Sequence, residues 1–67
     1  MKKFEVPEMS CGHCAATITR AIAAIDSGAR VACDLPSRTV TIDDATASEI
    51  ALIASMQAAG YKASPLH

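Results

Sequence analysis

At 67 residues the chain has room for one small domain, read as residues 1–67, and such a domain buries only about 60% of the surface its unfolded form exposes. Half of the residues (51%) are hydrophobic and 19% are charged, a balance that excludes disorder and leaves no volume for the large pocket of a cofactor-dependent enzyme. Six Lys or Arg against seven Asp or Glu provide no basic stripe for phosphates, which speaks against nucleic acid as a partner.

Lys2 to Val6 alternates, Phe4 and Val6 against Lys3 and Glu5, and predicts a first strand that Pro7 ends. Residues 8–13 form a polar loop containing Gly12, with Ser10 placed to cap the helix that follows. From Cys14 the period becomes helical: Ile18, Ala21, Ile22 and Ile25 share one face with Cys14 itself. That helix should stop at Asp26-Ser27-Gly28, with Gly28 as a left-handed cap.

Val31, Cys33 and Leu35 then alternate with Ala32 and Asp34. Pro36-Ser37-Arg38 turns the chain, and Val40 and Ile42 complete a hairpin with one buried face. Thr46 and Glu49 have the spacing of a capping box, and a second helix follows with the apolar stripe Ile50, Ile53, Ala54 and Gln57, widened by Leu52, Met56 and Ala59. Gly60 ends it; Tyr61 to Ser64 gives a last strand, and Pro65-Leu66-His67 a tail. The order β-α-β-β-α-β predicts an α+β, ferredoxin-like split βαβ fold, with both helices on one face of a four-stranded antiparallel sheet.

Cys11-Gly12-His13-Cys14 carries the chemistry. Its first sulfur lies on the loop and its second on the opening turn of a helix, where free N–H groups and the positive helix end favour thiolates. Two thiolates without oxygen ligands select a soft ion; copper(I) accepts two sulfurs, whereas structural zinc wants four ligands and no second CxxC exists. CxxC is shared with thiol–disulfide enzymes and zinc clips, so a small dithiol oxidoreductase stays open beside metal transfer.

The run Glu8-Met9-Ser10-Cys11-Gly12-His13-Cys14, followed by Ala15, Ile18 and Ala21, resembles the heavy-metal-associated domain family, and within it the small bacterial copper chaperones. The likeness extends through Gly28, the Leu35 hairpin and Gly60-Tyr61. It implies that Cys11 and Cys14 bind Cu(I) and pass it to a copper-transporting P-type ATPase or its soluble metal-binding domains, without enzymatic turnover. It also implies that Met9 supports the loop from below and that Tyr61 faces the ion. The usual glycine before the motif methionine is Glu8 here, a departure that alters loop charge.

His13, between the cysteines, is expected to be exposed, with a second ligand role or a contact in a copper-bridged homodimer as the alternative; Tyr61 could share that contact. Cys33 reads as a small core hydrophobe and His67 as a minor extra ligand. A module of a larger transporter, or a carrier of Hg, Zn or Cd, are the rival carriers. An odd count of three cysteines, no apolar run of 18 residues and an opening segment unlike a signal peptide lead to the expectation of a cytoplasmic protein without membrane insertion.

Overall fold

In the computed structural model, which describes residues 2–66, six elements follow in the expected order: β1 (Lys2–Glu5), α1 (Gly12–Ile25), β2 (Arg30–Asp34), β3 (Thr39–Asp43), α2 (Glu49–Ala58) and β4 (Ser64–Leu66). The sheet is antiparallel throughout, with strand order β2-β3-β1-β4. This is the ferredoxin-like split βαβ arrangement, and the two helices pack on the sheet face that carries Phe4, Val40 and Ile42.

Alternation explains the sheet. Phe4 and Val6 are buried from the first strand region, Val40 and Ile42 from β3, while Lys3 and Glu5 face solvent. Met9, Ile18, Ile22, Leu52 and Met56 complete a single core of nine side chains closed to water. Ser55 Oγ donates to the Ala21 carbonyl at 2.7 Å and so ties the helices directly.

Register places the site. Glu5 at the end of β1 lies opposite Thr39, where β3 begins, and opposite Ser64, where β4 begins. Because β2 and β1 both run antiparallel to β3, three connections share one end of the molecule: residues 6–11, 35–38 and 59–63.

Six local expectations need correction. α1 starts at Gly12 with Cys11 as its N-cap and no side-chain cap, so Ser10 does not serve. Gly28 does not adopt the left-handed conformation; Asp26 is the C-cap of α1, its N–H returning to the Ile22 carbonyl. The cap of α2 is Ser48, whose Oγ accepts from Ala51 N at 3.2 Å, and not Thr46. Thr46 is instead taken by Asp26 Oδ2, which accepts from Thr46 N (2.6 Å), Thr46 Oγ1 (3.2 Å) and Ala47 N (3.0 Å).

The inner face of α2 is Leu52 and Met56 flanked by half-buried Ile53 and Ala59, whereas Ile50 is 81% exposed and Ala54 and Gln57 also face solvent. Ile25, given to the inner face of α1, is 48% exposed. The last strand lies later than expected: Pro65 pairs with Phe4 and Leu66 with Lys3, so most of the supposed tail is β4. An edge strand tolerates proline because one side needs no ladder N–H. His67 lies outside the described residues. No helix among the described residues is long and apolar enough to cross a membrane.

Candidate metal centre

The dithiol loop is built from a strand end, a buried anchor and a bare helix start. Pro7 closes β1, since it has no N–H to extend the ladder. Met9 then turns back: its N–H bonds the Val6 carbonyl at 3.0 Å and its side chain is sealed in the core. Two residues later Cys11 takes an extended backbone (φ −152°, ψ 170°), and its carbonyl accepts the Ala15 N–H as α1 begins. No acidic residue stands in the first turn of α1, so its free N–H groups and positive end are left for whatever the sulfurs hold.

Cys11 Sγ and Cys14 Sγ lie 3.5 Å apart, Cys11 exposed and Cys14 half-buried, both as free thiols. Two sulfurs bound to one ion at ~2.3 Å each can stand at most ~4.6 Å apart, so this pair can chelate a single ion with little adjustment. His13 is exposed, and among the described residues no group of three or more His, Cys, Asp or Glu gathers to complete a ligand set. Among the described residues two sulfurs meet there and no third such side chain joins them.

Tyr61 reaches this site through a helix ending. Gly60 has φ 99°, its N–H bonds Gln57 O (2.9 Å), and the Tyr61 N–H bonds Met56 O (3.0 Å), the paired bonds of a Schellman cap. That cap turns the half-buried Tyr61 back toward the end of the molecule that carries Cys14, and both pack against the core. The Tyr61 hydroxyl is the largest influence lowering the Cys14 thiol from 9.0 to about 7, followed by backbone at Ser10 and the Cys11 side chain. The Tyr61 phenol is pushed up in turn, first by its bond to Cys14 and then by burial. A phenol on this side of the loop thus favours the ionised form of the Cys14 sulfur near neutral pH.

Cys33 stays away from this pair. It is half-buried against the core, its Sγ 4.0 Å from Thr19 Oγ1 and 3.9 Å from the Ala15 carbonyl, and burial pushes its thiol up, which suits a neutral packing role. One residue of the site end has no sequence signal. Arg38, in the β2–β3 turn, donates from Nη1 to the Pro7 carbonyl at 3.0 Å and accepts the Val6 N–H on its own carbonyl at 2.8 Å.

A βαββαβ sandwich with an exposed dithiol at the start of its first helix defines a class of small metal-binding domains. Residues 3–62 match the heavy-metal-associated domain, and the chain belongs to that family. Among solved structures it is similar to a gold binding protein (29% identity, 98% of this chain and 100% of that one, TM-score 0.93). It is also similar to the copper chaperone Atx1 of Synechocystis PCC6803 in its Cu2 form (32% identity, 92% and 97%, TM-score 0.87). The N-terminal domain of PacS from the same organism shares 25% identity over 98% of this chain and 96% of that one, with a TM-score of 0.78. No curated protein matches the chain in sequence.

Proposed function

We propose that the chain is a copper(I) chaperone, a carrier and not an enzyme, that holds one ion between Cys11 and Cys14 and surrenders it by ligand exchange. The observation that carries this reading is the pair of free sulfurs 3.5 Å apart at an open helix start. The likeness to the Atx1 copper chaperone supports it. Two thiolates satisfy Cu(I), while the missing third and fourth ligands leave the ion open to attack.

In the exchange, a partner cysteine thiolate forms a third copper–sulfur bond. One of the bonds from Cys11 or Cys14 then breaks, and the freed sulfur leaves as thiolate. Copper stays in the +1 state throughout, so no electron donor is needed. Cys11, the more exposed sulfur, is the natural first point of exchange, and Cys14, steadied by Tyr61, the last to let go. The receiving protein is a copper-transporting P-type ATPase or its soluble metal-binding domains, reached in the cytoplasm, where thiols stay reduced.

Similarity to a gold binding protein supports a second reading of the same chemical kind, with another soft ion, gold, as cargo. Competition titrations against a chelator separate these outcomes. The carrier reading expects tight 1:1 Cu(I) binding that collapses in both Cys11→Ser and Cys14→Ser. Binding that survives either change overturns it. Tighter capture of Au(I) than Cu(I) selects the second reading, and turnover in an insulin-reduction assay would mark a dithiol oxidoreductase instead.

A further inference from the structure

The β2–β3 turn lies beside the dithiol loop because of the register of the sheet, and Arg38 does more there than reverse the chain. Its φ of 54° lies in the left-handed region, where glycine or asparagine sits more readily than a long side chain. Asp44, the other described non-glycine residue in that region, joins β3 to the α2 approach at the far end. At the site end, the strained residue grips the approach to the sulfurs on both sides of one peptide bond. The Arg38 carbonyl takes the Val6 N–H and the Arg38 guanidinium takes the Pro7 carbonyl. Pro7 has no N–H, so that carbonyl is its single backbone handle.

We propose that Arg38 is a positioning residue for the dithiol. Together with the Met9 N–H to Val6 O bond and the buried Met9 side chain, it ties Val6, Pro7 and Met9, so the chain is fixed up to two residues before Cys11. The Cys11 sulfur is thereby held facing Cys14 before an ion arrives, and less loop ordering has to accompany capture. The bond is charge-assisted, which makes it stronger than a neutral one of the same length. The ion-binding half of this inference rests on the carrier reading; the loop half does not.

Arg38→Gly is the informative change, because it removes the guanidinium while relaxing the turn, so the hairpin is not weakened. Amide hydrogen exchange of the metal-free protein is compared for wild type, Arg38→Gly and Arg38→Lys, followed by Cu(I) retention against a competing chelator. Exchange at residues 8–12 should rise ~5-fold in Arg38→Gly, about the net worth of one hydrogen bond, with the β2 and β3 amides within ~2-fold of wild type. Cu(I) retention should fall by a similar factor, and Arg38→Lys should restore part of both, since an ammonium can reach the carbonyl with one donor.

Unchanged loop exchange overturns the proposal, as does a rise shared equally by loop and strands, or an opened loop that holds Cu(I) as well as before. A wild-type chain that fails to hold Cu(I) at all removes the carrier reading instead, and the exchange result alone then decides whether Arg38 fixes the loop.

Discussion

At Cys14, groups from opposite ends of the chain meet one sulfur: Tyr61 from beyond α2, and Ser10 and Cys11 from the loop before α1. Their donors favour the thiolate and bring its pKa to about 7, so that roughly half the protein carries this thiol ionised at neutral pH. A lowered folded value means that this thiolate favours the folded state fully above 9.0, and the contribution fades as pH falls through about 7. Tyr61→Phe keeps the ring and removes the largest of the lowering influences. The midpoint of Cys14 alkylation against pH, followed residue by residue in the metal-free protein, should therefore move up from about 7 toward 9.0. A midpoint that stays in place would assign the shift to the loop backbone and not to the phenol.

Among the elements, the two ends of α2 make separable demands. At its C-terminus Gly60 holds φ 99° with open space where a Cβ would stand, so Gly60→Ala meets no clash and pays only in backbone conformation, about 1–3 kcal/mol in chemical denaturation. It should also raise the Cys14 pKa, because the same cap aims Tyr61. At the other end, the 7% exposed Asp26 carboxylate receives the N–H groups of Thr46 and Ala47, which hold it below the usual carboxylate range. Asp26→Ala strands those donors and should cost about 1–3 kcal/mol near pH 7. The folded value is depressed, so the difference from wild type should be full well above 3.8 and shrink, as acid passes the folded pKa, to the part a neutral carboxyl still supplies as acceptor, which denaturation at several pH values would trace. Asp26 also marks where local sequence patterns end. The first three strands, the body of α1 and the CxxC placement were legible because alternation and helical spacing are properties of neighbours, as with Phe4 and Val6 or Ile18 and Ile22. Asp26 reads as an ordinary helix stop, since its acceptor role depends on residues twenty positions away. In α2, Ala and Ile occur on several faces, so the stripe drawn through Ile50 and widened to Leu52 spread around the helix, and only packing on the sheet singles out Leu52 and Met56. Arg38 was illegible for the same reason as Asp26: its partner is on another element.

For the molecule as a whole, the small core sets the scale. At 0.05–0.15 kcal/mol per residue, a chain of this length is expected to be stable by only about 3–10 kcal/mol. Phe4 is sealed on the inner face of β1, a strand paired on both sides, and Phe4→Ala should cost about 3–5 kcal/mol. Ile50→Lys, on a side chain 81% exposed, should change stability by less than about 0.5 kcal/mol. The metal-free Phe4→Ala protein therefore stands at the edge of unfolding. An ion that binds the folded form alone adds about 4 kcal/mol once its free concentration is ~1,000 times Kd, nearly the whole deficit. Circular dichroism should show Phe4→Ala partly unfolded without metal and restored by buffered Cu(I). Phe4→Ala with Cys11→Ser and Cys14→Ser should stay unfolded at the same copper activity. Equal rescue of both proteins would mean that copper stabilises the fold somewhere other than the dithiol. No rescue of either would mean that the pair also grips the ion in the unfolded chain, where two cysteines only three residues apart need little folding to meet. Rescue confined to the protein with both sulfurs ties capture of the ion to the sheet beneath the loop.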